Sequence, residues 1–427
     1  MAKKQHLESP SRRDLLKGGI VAGVAAGAAA GGTLVASGVA GAQTISPDIP
    51  DWSRYNGLGV DAEAYGVPSF HEEGVRRRHV DWLTASPVSS VNFTPLADLH
   101  GFVTPNGLHF ERHHGGVAEV DPTQHKLMIH GLVERPLIFS MEDIKRLPAE
   151  SHFYFLECAA NGGMEWRGAQ LNGCQFTHGM ISCVQYTGVP LKLLLEQAGV
   201  KPKGKWILAE GADSSGMTRS IPMEKALDDC MVAYAQNGEA LRPGQGYPLR
   251  LVVPGFEGNM WVKWLRRLEI GDMPWFTREE TSKYTDLLAD GKARMFTWVQ
   301  DANSVITSPS PEKPVLDKGF NMITGLAWSG RGRIKAVDVS VDGGKNWVQA
   351  RLDQPVLPKA MTRFYLPWTF DGDATLIQSR AIDETGYVQP TFAQQRAERG
   401  VNSIYHNNSI HTWEVKSNGE VENVQLA

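Results

Sequence analysis

Hydrophobic and polar positions change their pattern along the 427 residues of the chain. After an Ala- and Gly-rich stretch, residues 43–90 are polar and Pro/Gly-rich with little periodicity, which predicts an extended arm lying on the main domain. From 91 to 305, apolar runs and amphipathic segments are interleaved without a regular strand–helix–strand repeat. This interleaving predicts an α+β domain rather than a doubly wound parallel sheet.

Several segments of the main domain have clear predicted boundaries. "HFYFLE" (152–157) and "MWVKWLRRLEI" (260–270) are apolar runs that predict strands. "SMEDIKRLP" (140–148) predicts a short helix with Ser140 as N-cap and a proline as stop. "TGVPLKLLLEQAGV" (187–200) predicts a longer helix, because its leucines form one apolar stripe and a glycine follows them.

The last part of the chain has a different period. Residues 306–319 are rich in Ser, Pro and Lys and indicate a domain boundary. Beyond them, Val337, Val339 and Val341 alternate with polar residues before a "DGG" turn, as in a β-hairpin. Because almost no helical period is visible, we predict an immunoglobulin-like β-sandwich over 306–427.

The N-terminus reads as a targeting segment. Arg12 and Arg13 precede a mildly apolar run that ends in the small residues "AGA" at 40–42, which together predict a twin-arginine signal peptide over 1–42. Its many glycines make it a poor bilayer span, so we expect no membrane anchor. The predicted location is the periplasm, where disulfides are permitted. Twin-arginine export moves folded proteins, which suggests a cofactor inserted before export.

Charge and cysteine content exclude several classes of protein. A net charge of −4 gives no general surface for polyanions, so no nucleic-acid partner is expected. The four cysteines form no CxxC or CxxCH pattern, which excludes a thioredoxin motif, a zinc ribbon and a c-type haem on this chain. Cys174 and Cys183 are candidates for a periplasmic disulfide or for two buried thiols, and the sequence leaves both open.

Cys158 is the first candidate for chemistry, because it follows an apolar strand and precedes the small, flexible residues 159–163. Three interpretations stay open: an inert buried thiol, a nucleophile, or a soft ligand for a metal that takes its other ligands from a cofactor.

Further candidates are basic. "HFERHHGG" (109–116) contains Arg112 and His114, and its spacing fits a metal site, ordinary turn histidines or an anion site. Arg250 and Lys263 lie inside apolar stretches, where a cation is either on the exposed face of an edge or a partner for an anion.

Ordered motifs from about residue 90 to the C-terminus resemble the sulfite oxidase family of molybdenum enzymes. They are "FERHHG", "FLECAANG", "MISCVQYTGVPLKLLLEQAGV", "NGEALRPGQGYPLRLVVPGFEGNMWVKWL" and "AWSGRGRIKAVDVSVDGGKNW". The resemblance implies a sulfite-oxidase-type molybdopterin-binding catalytic domain over 91–305 and a dimerisation domain over 306–427. It also implies one pterin per molybdenum.

The resemblance assigns roles to individual residues. Cys158 would be the single protein thiolate on the molybdenum. Tyr284 would be a catalytic residue next to the metal. Arg399 would extend from the second domain into the substrate pocket, where its planar guanidinium could form two hydrogen bonds to an oxyanion. The residues that would hold the pterin and its phosphate are Arg112, His114, Cys158, Asp213, Arg250 and Lys263.

The sequence departs from the family pattern at the substrate pocket. Sulfite-oxidising members have two arginines where this chain has Gly162 and Gly163. A lost hydrogen bond to a charged group is worth about 1.5–3 kcal/mol, so a small free dianion should bind less well and a bulky substrate should enter more easily. A family tryptophan is Phe176 here, and a phosphate-binding histidine is Gln245.

These departures favour oxidation, by oxo transfer, of sulfane sulfur bound to a carrier protein in thiosulfate oxidation. The main alternative is a dehydrogenase acting on free sulfite; nitrate reduction and a non-enzymatic binding protein are further ones. Because the chain carries no haem, the electrons would pass to a c-type cytochrome subunit. The expected partners are this cytochrome, a sulfur-carrier protein as substrate, and a second copy of the chain bound through the C-terminal domain.

Overall fold

The structure is a computed structural model that describes residues 65–84, 86–315, 317–400 and 402–426. The predicted signal peptide over 1–42 and much of the predicted arm lie outside the described residues. Pro68–Ala427 cluster into one compact unit. The boundaries at 90 and 305 stay predictions.

The strands of the described residues alternate with short helices in the first half of the chain and follow one another almost directly in the second half. The helices are α1 (Met141–Arg146), α2 (Cys174–His178), α3 (Leu191–Ala198), α4 (Met223–Asp228), α5 (Arg278–Thr281) and α6 (Phe392–Arg399). The strands are β1 (Arg78–His79), β2 (Asn92–Phe93), β3 (Lys126–Gly131), β4 (Leu137–Ser140), β5 (Glu150–Glu157), β6 (Ile181–Pro190), β7 (Trp206–Gly211), β8 (Thr218–Pro222), β9 (Met231–Gln236), β10 (Glu239–Ala240), β11 (Arg250–Val252), β12 (Leu265–Gly271), β13 (Asp286–Leu287), β14 (Ala293–Arg294), β15 (Asn303–Ser308), β16 (Gly319–Trp328), β17 (Ile334–Ser340), β18 (Val348–Gln349), β19 (Arg351–Leu352), β20 (Thr362–Phe370), β21 (Thr375–Asp383), β22 (Thr412–Val415) and β23 (Val421–Val424).

One antiparallel sheet and one mixed sheet form the first domain. One has the order β10-β9-β6-β5, with β11 also paired to β9, and the other has the order β4-β3-β12-β7-β8. Strands β12 and β3 run parallel, whereas β12 and β7 run antiparallel. The predicted leucine stripe of α3 is buried at Leu191, Leu194 and Leu195 in the core of this domain. The α+β fold class is confirmed.

Two antiparallel sheets form the second domain, with the orders β15-β16-β20-β19 and β18-β17-β21-β22-β23. Their shared core contains the fully buried side chains of Trp328, Phe364 and Trp413. The predicted hairpin is present, since Asp338 of β17 pairs with Gln349 of β18. The prediction of a β-sandwich after the catalytic domain is therefore confirmed.

Two element boundaries predicted from the sequence were wrong. The helix predicted over 187–200 begins only at Leu191, because the preceding residues continue β6, which pairs with both β5 and β9. Gly188 allows this pairing: a Cβ there would lie 2.2 Å from the carbonyl oxygen of Val232. The strand predicted over 260–270 begins only at Leu265, after a left-handed Trp264 with a φ of 51°.

The two domains share one hydrophobic cluster. Phe155 of β5, Cys174 of α2 and Cys183 of β6 belong to the first domain by sequence but pack with the core of the sandwich. Cys174 and Cys183 are both free, buried thiols. None of the helices in the described part of the chain has the length and hydropathy that a membrane crossing needs.

Replacing a core residue of the sandwich should destabilise the chain far more than replacing an exposed one on the same sheet. Phe364 on β20 is fully buried, whereas Phe320 on β16 is 73% exposed. We expect Phe364→Ala to lower the free energy of unfolding by about 3–5 kcal/mol and Phe320→Ala to change it by less than about 0.5 kcal/mol. Urea unfolding followed by tryptophan fluorescence measures both, and equal losses would contradict the assignment of the core.

Candidate active site

Cys158 lies where strand β5 ends and the chain turns into a tight loop. Its backbone N–H donates to the carbonyl of Met180 at 2.9 Å, and its carbonyl accepts from Asn161 N–H at 2.8 Å. The loop reverses at Gly162, whose φ of 69° is in the left-handed region that favours glycine. Burial raises the pKa of the Cys158 thiol, although nearby Arg112 opposes the shift. A bound metal cation would reverse this effect and hold the thiolate.

The predicted cofactor residues converge on one cleft in the first domain. They come from three different parts of the chain, around residues 110, 210 and 250–263, and the structure brings them to the same surface as the thiol. The cleft is lined by Arg112, His114, Cys158, Asp213, Arg250, Lys263 and Tyr284.

Lys263 lies in this cleft, and each of its hydrogen-bond partners is an uncharged group. Its ammonium donates to the carbonyls of Arg112 and Gly244 at 3.2 Å each and lies 2.8 Å from His113 Nδ1. Burial, with the charge of Arg250, lowers the pKa of Lys263 to about 7. Such an ammonium gains from any anion that enters the cleft.

Glu111 and His113, which lie in "FERHHG" but had no predicted role, form a second pair, and this pair orients the His113 ring. The Nε2 atom of His113 lies 3.0 Å from Glu111 Oε2. Although burial acts to raise it, hydrogen bonds from His113 and Arg77 lower the pKa of Glu111 to about 2. The ionised Glu111 therefore fixes the orientation of the His113 ring, whose Nδ1 faces the Lys263 ammonium.

Arg250 is a buried cation without a counter-ion among the described residues. It is 2% exposed, and its guanidinium donates to the carbonyls of Gln245 and Trp261 at 3.2 and 3.3 Å. Its Nε is buried without a hydrogen-bond partner. A buried charge is stable when it is paired, so this orphaned donor fits an anionic group such as a pterin phosphate.

His114 and Tyr284 face each other in the cleft, with 3.5 Å between His114 Nε2 and the Tyr284 hydroxyl. His114 remains accessible through the cleft, yet partial desolvation and the charge of Arg112 lower its pKa to about 4. Burial strongly raises the pKa of Tyr284, whose ring centre lies 4.9 Å from that of Tyr405. Both groups are therefore neutral at physiological pH.

A larger cavity of about 620 Å³ adjoins the cleft and shares Cys158 and Tyr284 with it. Exposed arginine and lysine side chains line this cavity, and no sequence motif identified them. Its wall also includes residues of both domains. Its lining includes Gly162, Gly163, Arg167, Phe176, Arg278, Lys283, Ile404 and Tyr405.

The structure changes the interpretation of the two glycines. A Cβ on Gly163 would lie 2.4 Å from the carbonyl oxygen of Ile404, and one on Gly162 would lie 3.3 Å from Asn407 Cβ. Backbone of the second domain therefore occupies part of the space beside Gly162 and Gly163 that was predicted to be open to substrate. The cavity is widened by the absence of arginine side chains, but it is closed on this side by residues 404–407.

Arg399 is not brought to the cleft or to the cavity. Its side chain is buried, and its two terminal nitrogens donate to Asp286 Oδ2 at 3.1 Å and to Asp301 Oδ2 at 3.0 Å. Because both branches of the fork are taken by carboxylates, this arrangement does not support the predicted contact with substrate. The sequence could not reveal these pairs, since the two aspartates lie about a hundred residues away.

Family comparisons agree with this arrangement. Residues 114–278 match the oxidoreductase molybdopterin binding domain, and residues 294–413 match the Mo-co oxidoreductase dimerisation domain. Among solved structures, the chain is similar to the sulfane dehydrogenase SoxCD from Paracoccus pantotrophus, with 60% identity and a TM-score of 0.87. The match covers 89% of this chain and 98% of that chain.

Curated relatives include NADH-dependent nitrate reductases. The enzyme of Solanum lycopersicum is 32% identical over 348 residues, and that of Ulva prolifera is 31% identical over 358 residues. The matches cover 69% and 73% of this chain, but the chain spans only 37% and 41% of those proteins.

Removing the buried guanidinium should weaken retention of the cofactor. We expect Arg250→Met to lower retention about ten- to a hundredfold, since a hydrogen bond to a charged group contributes about 1.5–3 kcal/mol. The molybdenum-to-protein ratio after dialysis, with pterin fluorescence, measures the loss. Arg266→Met is the matched control, because Arg266 is half-exposed and paired with Glu210 at the surface. Full retention in Arg250→Met would contradict the assigned anion site.

Adding one methyl group at Gly163 should disturb the contact between the domains. We expect Gly163→Ala to destabilise the chain by about 1–3 kcal/mol, because its Cβ would clash with backbone of Ile404. The thermal midpoint measures this change. Gly74→Ala is the control, since no atom lies within 4 Å of a Cβ at Gly74. Equal midpoints for the two variants would show that residues 404–407 do not lie on Gly163.

Proposed function

Because the chain belongs to the sulfite oxidase family of molybdopterin oxidoreductases, we propose that it is the molybdenum subunit, of the SoxC type, of a sulfane dehydrogenase. Cys158 would hold the metal, and Arg112, Asp213, Arg250 and Lys263 would hold the pterin and its phosphate. When bound, the molybdenum centre supplies oxygen-atom transfer to sulfur and accepts the electrons; the protein supplies binding and orientation.

The observation that carries the proposal is the cavity of about 620 Å³ beside Cys158, with glycines where sulfite-oxidising relatives have arginines. A small dianion would leave most of this cavity filled with water. A carrier-protein segment whose cysteine bears the sulfane sulfur would occupy much more of it. Each oxygen added to the terminal sulfur comes from one water molecule, which releases two protons, while the sulfur gives up two electrons, until a sulfonate is formed.

The residues of the chain have distinct parts in this reaction. The exposed cations Arg167, Arg278 and Lys283 attract the anionic sulfur group toward the cavity. Neutral His114 and Tyr284 are in reach of one another, and the Tyr284 hydroxyl is a donor that keeps its proton at physiological pH. Phe176 and Tyr405 bound the cavity and exclude water from the sulfur.

The proposal includes partners and a location. The electrons pass to a c-type cytochrome subunit, because the sequence contains no CxxCH haem site. The substrate is presented by a sulfur-carrier protein, and the chain is exported to the periplasm by the twin-arginine route. Self-association through the second domain is supported by the dimerisation-domain match.

An anaerobic titration of the molybdenum-loaded protein tests the substrate. Free sulfite and a synthetic peptide that carries a cysteine persulfide are added separately, and the Mo(V) EPR signal and the thiolate-to-metal absorption are followed. We expect the persulfide to reduce the metal stoichiometrically and sulfite to reduce it at least tenfold more slowly.

Fast, stoichiometric reduction by sulfite alone would make the protein a sulfite dehydrogenase. Rapid reoxidation of the reduced protein by nitrate, with no response to either sulfur compound, would favour nitrate reduction. Cys158→Ser protein is the blank, because it lacks the thiolate that produces the absorption band.

A further inference from the structure

Residues 405–407 of the second domain are bonded to the loop that begins at Cys158. The backbone N–H of His406 donates to the carbonyl of Ala159 at 2.7 Å. The amide of Asn407 donates to the carbonyl of Gly162 at 3.0 Å, and the indole of Trp166 donates to the carbonyl of Tyr405 at 3.0 Å. The cofactor loop is therefore held from the outside by consecutive residues of another domain.

The side chain of His406 is the anchor of this segment. It is buried, with Nε2 2.8 Å from Glu257 Oε2 and Nδ1 3.5 Å from Asp286 Oδ2, the second distance being an electrostatic contact rather than a hydrogen bond. The backbone of His406 has a φ of 56°, an uncommon conformation for a residue with a side chain, which persists only where the surroundings fix it.

The charge of the ring follows from its neighbours. Burial alone would lower the pKa of His406, but the carboxylates of Asp286 and Glu257 raise it above its usual value, and Arg399 opposes them in part. Both ring nitrogens face carboxylates, so the imidazolium is attracted by both, whereas the neutral ring would present a lone pair to one of them.

This imidazolium joins two halves of a buried series of alternating charges. On one side, Glu257 accepts from Arg219 at 2.9 Å. On the other, Asp286 accepts from Arg399, which also donates to Asp301. Without His406, Glu257 and Asp286 would each lose one of their cationic partners, and leaving a buried charge uncompensated is strongly unfavourable.

The neighbours of His406 line the reactive site. Tyr405 lines the large cavity and packs against Tyr284 with the two rings tilted by 36°, and Asn407 bonds to Gly162 at the turn of the cofactor loop. We propose that His406 is a positioning residue: held between Glu257 and Asp286, it fixes Tyr405 against Tyr284 and Asn407 against Gly162, and thereby holds the Cys158 loop in place. The proposal concerns the molybdenum loop and does not depend on which sulfur compound is the substrate.

The experiment uses the molybdenum-loaded full chain carrying His406→Gln. Glutamine keeps a hydrogen-bond donor but removes the charge and the ring. We expect amide hydrogen exchange over residues 159–166 and 403–409 to accelerate at least tenfold, and the Mo(V) EPR signal of the chemically reduced protein to broaden or shift. The molybdenum content should stay within twofold of the parent protein. The KM of the persulfide peptide should rise more than kcat falls.

Two controls separate positioning from general loosening. His152→Gln removes a histidine–glutamate contact of similar length, 3.0 Å, at the exposed surface and should change none of these readouts. Phe364→Ala destabilises the core of the second domain without removing any of the hydrogen bonds or ion pairs of residues 405–407, and it should leave the exchange of 159–166 relative to the other amides unchanged.

Unchanged exchange and EPR signals in His406→Gln would overturn the proposal, as would an equal effect of Phe364→Ala on residues 159–166. Should His406→Gln not fold, Glu257→Gln carries the same test, because it removes the carboxylate nearest to the imidazolium and is expected to loosen the same two segments. Since exchange and EPR need no substrate, they decide this proposal even where the persulfide is not oxidised.

Discussion

The structure depends on a cleft that contains more positive charge than the protein itself neutralises. Arg250 is buried among carbonyl groups and aromatic rings, and Lys263 donates to carbonyls and to a histidine that Glu111 already holds. Desolvation opposes the charge of both groups. A folded-state pKa of about 7 for Lys263, below its usual value, means that charging this group costs stability as the pH falls. An anionic cofactor reverses that cost, which makes the cofactor part of the folded structure.

This demand for an anion also accounts for the arrangement of the domains. The first domain supplies the cations from separate segments, and its sheets bring them to one side of Cys158. The second domain closes the other side, through residues 404–407 and through the apolar cluster that Phe155 and Cys183 share with the sandwich. A dimerisation domain thus also builds the wall of the reactive site within one chain.

Sequence patterns predicted the parts that local chemistry determines. The strand before Cys158, the capped helix at Ser140 and the hairpin after Val341 follow from periodicity and turn residues, and the ordered motifs located the lining of the cleft. Long-range packing decided the rest. No local signal indicates that β6 continues to Pro190, because its last residues pair with β9, which comes about 45 residues later in the chain. Likewise, the partners of Arg399 become visible only when Asp286 and Asp301 are brought to it.

The contact at Gly163 shows why specificity in this fold cannot belong to one residue. Proteins similar to this chain include nitrate reductases and a sulfane dehydrogenase, so the shared fold does not by itself select the substrate. Here the wall consists of glycines from one domain and backbone of Ile404 from the other, 2.4 Å from where a Cβ would lie. An arginine at this position would need residues 404–407 to move, and these are held by the ion pairs of His406. A change of substrate therefore requires coordinated changes in both domains, and the buried charge series that joins them is the constraint on such changes.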